Sequence, residues 1–290
     1  MSENASISLR KRIKSDKLLV APGVYEMISA RVADRKGFEA LYMTGFGAVA
    51  SYLGLPDAGI ASYTEMLDRV ARIAGGTSTP LIADADTGYG GLLNIRETVR
   101  GYEAAGAVGI QIEDQEFPKK CGHTPNKRVI PTEDMVQKIR VAVDSRRSDD
   151  TLIIARTDSR ASLGLDEALR RGEAYAKAGA DVLFIEAPTS EAEMEQICRS
   201  FDTPQLANMA DGGGLTPMLS HARLQEIGFS IAIYPGTAFL AAAKIYEDVY
   251  GAIHRDGDSH AVSDNLYPFA EMTKLMGFDD VWAFEKEYAE

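Results

Sequence analysis

The chain has 290 residues, 45% of them hydrophobic and 26% charged, with a formal net charge of −12. This ordinary globular usage excludes a disordered, collagen-like or coiled-coil protein. The acidic balance excludes general binding to nucleic acid or anionic membrane, which needs a basic face, so an anionic ligand must meet a local cationic site.

In chain order, the opening residues Met1 to Arg10 hold no apolar signal-peptide core, and no run long enough to span a membrane follows. Two cysteines, Cys121 and Cys198, make no disulfide framework. The expectation is a cytoplasmic protein. Eight short apolar, β-branched runs then alternate with helical patterns: residues 18–21, 40–44, 80–84, 109–113, 151–155, 181–186, 205–208 and 230–234. Amphipathic stretches at 95–105 and 166–178 lie between them, and each meets an Ala-Gly-Ala whose Gly106 or Gly179 suits a helix C-terminus. Eight βα units within about 250 residues predict a single (β/α)8 TIM-type barrel domain rather than an open sheet. Beyond it, helical segments at 238–254, 266–276 and 281–288 form an apolar C-terminal extension that needs a surface to cover.

A barrel carries its chemistry at the C-terminal ends of its strands. The second run ends in Thr44-Gly-Phe-Gly47, whose backbone N–H groups could hold a carboxylate. The third ends with Asp84 and Asp86 on one side of the strand, and the fourth ends with Glu113-Asp114. Acids converging on one mouth call for a hard cation, Mg²⁺ or Mn²⁺, unless they cap helices or pair with arginines. Arg156, ending the fifth run, suggests bidentate carboxylate recognition, or else an ion pair with Asp84 or Asp86. Glu186 and Asn208 end the sixth and seventh. A loop at 117–127 places Cys121 after a Lys-Lys pair and two residues before His123, a setting expected to favour thiolate over thiol. Cys198 reads as a small core residue, and His221, His254 and His260 show no ligand spacing.

With these residues placed, the chain resembles the isocitrate lyase and phosphoenolpyruvate mutase superfamily over essentially its whole length. The resemblance is carried by Leu41-Tyr-Met-Thr-Gly-Phe-Gly47, Leu53-Gly-Leu-Pro-Asp57, Ala83-Asp-Ala-Asp-Thr-Gly-Tyr-Gly90, Ile112-Glu-Asp-Gln115 and Lys119-Lys-Cys-Gly-His123. It implies a Mg²⁺-dependent barrel whose C-terminal helices swap between subunits of a homotetramer. It also implies that Asp86 binds the metal directly, with Asp57, Asp84 and Glu113 reaching it largely through water. Thr44, Gly45, Phe46, Asp57, Arg156 and Asn208 would bind a dicarboxylate substrate, and Cys121, Lys120, His123 and Glu186 would be catalytic.

The Lys-Lys-Cys-Gly-His motif resembles the lyase branch, in which the cysteine handles a proton at carbon. Members that cleave methylisocitrate carry arginines where this chain has Thr124 and Leu240. Losing both disfavours a tricarboxylate, because a buried unpaired carboxylate costs several kcal/mol. The expected reaction is therefore cleavage of a 2,3-dimethylmalate or other alkylmalate to pyruvate or another 2-keto acid and a short carboxylic acid. The alternatives are 2-methylisocitrate cleavage, oxaloacetate hydrolysis, a carboxyphosphonoenolpyruvate phosphonomutase, or a noncatalytic carboxylate-binding barrel.

Overall fold

All eight apolar runs become parallel strands in the computed structural model, which describes residues 9–288. The strands are β1 (Leu19–Val24), β2 (Leu41–Met43), β3 (Leu81–Asp84), β4 (Ala107–Glu113), β5 (Leu152–Thr157), β6 (Val182–Ile185), β7 (Leu206–Asn208) and β8 (Ile231–Tyr234). Each pairs with its sequence neighbour, and β1 also pairs with β8, in the order β6-β5-β4-β3-β2-β1-β8-β7. A single parallel bridge between Leu183 and Gln205, backed by a 2.9 Å bond from the Leu183 N–H to the Pro204 carbonyl, closes β6 onto β7. The expected eight-stranded barrel is present. The part of the opening sequence at residues 1–8 lies outside the described residues.

Alternation along each strand sorts its side chains into two layers. Leu41, Met43, Leu81, Ala83, Ile110, Ile112, Ile153 and Ala155 pack outward in one cluster with helix residues such as Met66, Val70, Ile95 and Val99. Leu19, Tyr42, Ile82, Leu152, Ile154, Val182, Phe184, Leu206, Ile231 and Ile233 fill the barrel, and Leu9 and Ile13 from the N-terminal turn join them. A register irregularity between Leu81 and Ile82, where Val108 is passed over, leaves Gln111 and Glu113 in the inward series of β4. The inward series therefore runs from an apolar floor to a polar top layer of Thr44, Asp84, Glu113, Arg156, Glu186 and Asn208.

Helices end where the sequence places their glycines. The helix Leu92–Ala104 precedes Gly106, φ 103°, and Leu165–Lys177 precedes Gly179, φ 105°. Both angles lie in the left-handed region that a Cβ disfavours. Among the described residues no helix is long and apolar enough to cross a membrane.

The chain divides into two compact units, residues 1–238 and 239–290. The second contains most of the helix Thr237–Asp256, a 3₁₀ turn at His260–Asn265, and the helices Phe269–Leu275 and Phe278–Tyr288. Within it Ala252, Val262 and Leu275 are buried, whereas Phe269 is 84% exposed and Trp282, Phe284 and Tyr288 are also exposed.

Candidate active site

Register brings the polar top layer together. Glu113 on β4 pairs with Arg156 on β5, and its Oε2 lies 3.3 Å from the guanidinium Nε. Asp84 on β3 pairs with Gln111 on β4. Gln111 Nε2 donates to Asp84 Oδ1 at 3.1 Å, and the Tyr42 hydroxyl donates to Gln111 Oε1 at 2.7 Å. The other Asp84 oxygen accepts from the Gly45 N–H at 3.3 Å. Thr44 is the N-cap of the helix Gly45–Leu53, so the positive end of that helix faces the acids. A Cβ on Gly45 would stand 2.6 Å from Asp84 Oδ2, which is why only glycine allows this approach. Phe46 follows on the first turn and is 38% exposed.

Asp86 adopts φ 48° and is buried. Burial and the neighbouring Asp84 and Asp57 carboxylates push its pKa up from 3.8 to about 7, against the pull of Lys119. Burial likewise raises Asp84 and Glu113, although Lys119 and Arg156 oppose it. Lys119 is only 3% exposed and forms ion pairs with both Asp57 and Asp86, at 2.6 Å to Asp86 Oδ1. Burial alone would lower the pKa of its ammonium, but the surrounding acids raise it well above its ordinary value.

The two adjacent lysines of the loop have different surroundings. Of the two lysines, Lys119 reaches the acids and Lys120 is exposed, its backbone clamped by Gln115 through bonds of 2.8 and 3.0 Å.

Arg156 uses its fork inside the protein. Nε and Nη2 donate to Asp158 at 2.9 and 3.0 Å, and Nη2 also lies 3.3 Å from Glu186 Oε2. Within the protein the partner in the fork is thus Asp158, rather than the Asp84 or Asp86 considered as ion-pair partners from sequence. Burial would raise the Asp158 pKa, but the charges of Arg156 and Lys127 outweigh it and hold the carboxylate ionised. Asp114 turns away from the mouth: it accepts from Arg171, Tyr175, Thr157 and the Asp158 N–H, a structural ion pair at the end of β4.

The Cys121 loop lies over this layer. The Cys121 N–H donates to the Asp57 carbonyl at 3.2 Å. A Cβ on Gly122 would overlap Arg156 Nη2 and stand 2.8 Å from Glu186 Oε2, so the loop backbone rests directly on that pair. His123 Nδ1 accepts from the Leu215 N–H at 3.1 Å, which assigns the ring proton to Nε2, 3.4 Å from Glu186 Oε1. Asn208 Nδ2 is 3.2 Å from the same ring nitrogen and donates to Glu186 Oε2 at 3.0 Å.

Burial raises the Cys121 pKa, so the thiol is favoured, contrary to the thiolate expected from its basic neighbours. Those cations are engaged elsewhere: Lys119 with two carboxylates, and Lys127 with Asp158.

Five contributors escaped the sequence reading as site residues. Gln111 is a lone amide in an apolar strand two residues before Glu113, and Asp158 stands two residues after Arg156. Both were signalled by strand parity. Tyr42 shares its inward side with Thr44. Lys119 and Lys127 carried no such signal, because loop conformation decides which basic side chain turns inward.

Among the described residues, no group of three or more His, Cys, Asp or Glu side chains stands as a ready metal cage. One oxygen nonetheless answers a cation, and a second already holds one. Glu113 Oε1 is buried without a hydrogen-bond partner, Asp86 Oδ1 meets the Lys119 ammonium at 2.6 Å, and acids with raised pKa values surround both. Oxygen donors of this kind fit Mg²⁺ or Mn²⁺.

An inward ring of buried acids around one arginine, roofed by a cysteine loop, forms the candidate active site of a (β/α)8 barrel. A family model described as phosphoenolpyruvate phosphomutase matches residues 9–254. A 2,3-dimethylmalate lyase of Eubacterium barkeri is 44% identical over 286 residues, covering 99% of each chain. A 2-methylisocitrate lyase of Aeropyrum pernix is 42% identical, covering 99% of this chain and 91% of its own.

Among solved structures, a 2,3-dimethylmalate lyase superposes with a TM-score of 0.92 at 38% identity, covering 98% of this chain and 95% of that one. A phosphonopyruvate hydrolase bound to oxalate and Mg²⁺ superposes at 0.89 with 33% identity, covering 99% of each chain. The chain belongs to the phosphoenolpyruvate mutase/isocitrate lyase superfamily and is an enzyme of it.

Proposed function

We propose that this enzyme is a Mg²⁺-dependent carbon–carbon lyase. It cleaves the C2–C3 bond of an alkylmalate such as 2,3-dimethylmalate, giving pyruvate or another 2-keto acid and a short carboxylic acid. The observation that carries this reading is the placement of the half-buried Cys121 over the acid layer, its N–H on the Asp57 carbonyl and the adjacent Gly122 against Arg156 and Glu186. Thr124 and Leu240, neither of them a cation, favour a dicarboxylate over a tricarboxylate.

Asp86 would hold the metal, with Asp84, Glu113 and Asp57 around it. When bound, the cation supplies Lewis-acid polarisation of the 2-oxygen and the adjacent carboxylate. The helix N-terminus at Thr44, Gly45 and Phe46 and the Arg156 guanidinium bind and orient that carboxylate. As C2–C3 breaks, its electron pair moves onto the departing fragment as an enediolate, while the 2-hydroxyl gives its proton to water, from which the thiol is later restored, and becomes the keto oxygen. His123 Nε2–H and Asn208 Nδ2 donate toward the developing charge, and Glu186 fixes both of them. Cys121 Sγ then gives its proton to carbon and is left as thiolate. A raised pKa keeps that proton in place at neutral pH until a strongly basic carbanion forms.

The protein is proposed to work in the cytoplasm, where two thiols stay reduced. The exposed Phe269, Trp282 and Phe284 support the proposal that residues 239–290 extend the barrel domain onto a neighbouring subunit in a homotetramer. Light scattering should then give a mass near four chains of 31.4 kDa.

The decisive experiment is a coupled 2-keto acid assay over 2-alkylmalates and 2-methylisocitrate, with oxaloacetate followed by release of oxalate and acetate, in Mg²⁺ and in chelator. Preferred turnover of an alkylmalate that chelator abolishes is expected. Faster methylisocitrate cleavage, or oxaloacetate hydrolysis alone, replaces the substrate assignment, and no turnover on any of them leaves a binding barrel. Cys121→Ser should lower turnover by about 10²–10⁴-fold while retaining 2-keto acid binding. Full activity in that variant removes the proton-donor role.

A further inference from the structure

We propose that Lys127 is a positioning residue that latches the Cys121 loop to the arginine of the site. The inference rests on the reading of Arg156 as a carboxylate binder. Lys127 lies at the far end of the loop, in a stretch where Thr124, Asn126 and Arg128 are exposed, yet its side chain is only 2% exposed. Its ammonium reaches two acceptors. One is the Gly122 carbonyl, and the other is Asp158 Oδ1 at 2.8 Å. Asp158 Oδ1 also accepts from Arg156 Nη2 at 3.0 Å, while Oδ2 accepts from Nε at 2.9 Å. The backbone N–H of Asp158 is itself fixed by Asp114 at 2.9 Å. Lys127 therefore ties a loop residue that rests on Arg156 to the carboxylate that aims Arg156.

A buried ammonium is tolerated only when its partners offset the loss of water. Lifting the loop carries the Gly122 carbonyl away and opens the Lys127–Asp158 pair to solvent, so the seated loop and the oriented arginine favour each other. An anion on Arg156 adds negative charge beside the latch and strengthens it. Loop closure and anion binding are then linked, each raising the other. His123 meets the β7 side of the mouth through Leu215, whereas Lys127 holds the β5 side, so the two fasten the loop at separate places.

The test uses Lys127→Met, which keeps the volume and removes the charge. Three readouts are followed: trypsin cleavage after the exposed Lys120, oxalate affinity in the presence of Mg²⁺, and rescue of both by ethylammonium in Lys127→Ala, whose short side chain leaves room for the amine. Relative to wild type, the variant should be cut at Lys120 about tenfold faster without ligand and should bind oxalate about tenfold more weakly. Ethylammonium should partly restore both. A lysine that merely filled space would give no such rescue, and Lys127→Gln, which keeps a shorter donor, serves if the methionine variant does not fold. Equal cleavage and equal oxalate affinity in variant and wild type overturn the latch. Faster cleavage in the variant, with no oxalate binding by wild type, supports the latch and overturns the carboxylate role of Arg156 instead.

Discussion

Gly122 sets the limit on the active loop. Its missing Cβ lets backbone rest on Arg156 Nη2, and Arg156 cannot yield because Asp158 grips it through both nitrogens. Gly122→Ala should therefore hold the loop off the site. A displacement of about 1 Å in a catalytic group can lower turnover about 10²-fold. Steady-state kinetics on the accepted substrate should show that loss in kcat, with the thermal midpoint nearly unchanged because the loop adds little core. An unchanged kcat would mean the loop does not seat on Arg156 during turnover. Which loop residues face inward was not legible beforehand: Lys119 and Lys120 are adjacent and chemically identical, and only the path of the chain past Asp57 distinguishes them.

Whole elements were far more legible. A strand buried on both faces must be apolar along its length, so the eight runs stood out, and the helices between them end at Gly106 and Gly179 as their sequences indicate. Gly179, at φ 105° and facing Val143 at the N-terminal end of the barrel, is a stability position. Gly179→Ala should cost about 1 kcal/mol in denaturant unfolding and leave kcat unchanged, since that end is remote from the mouth. At the mouth end of β4, Asp114→Ala takes from the buried Arg171 its buried carboxylate, leaving it the more exposed Glu167, and frees the Asp158 backbone. Removing one partner of such a pair costs about 3–5 kcal/mol, which a urea titration would read directly. The sequence offered Glu113 and Asp114 as equals. Strand parity points the first inward, and the second became structural because Arg171 waits on the helix side.

At the scale of the molecule, the barrel concentrates acids that disfavour being charged together. Asp86, raised from 3.8 to about 7, gives a sign opposite to that of an ordinary paired carboxylate. Its neutral form is favoured in the folded chain, so this contribution to stability is complete below about pH 4 and is lost as pH rises through about 7. In chelator, the thermal midpoint should fall between about pH 5 and pH 8 on account of this cluster. Added Mg²⁺ should raise the midpoint more at the higher pH, where the acids are ionised and ready to bind. Scanning fluorimetry at both values checks this, and an equal Mg²⁺ increment at each pH would contradict it.

The sequence by itself determined the βα alternation, the strand that carries each polar residue and the family, because all three reside in local periodicity and short motifs. Only the tertiary structure decided that Cys121 stays protonated, that the arginine fork closes on Asp158, and that Lys119 and Lys127 rather than Lys120 are buried. Those outcomes depend on desolvation and on charges brought together from different strands. The sequence places a thiol among cations; the folded loop ties two of those cations, Lys119 and Lys127, to acids.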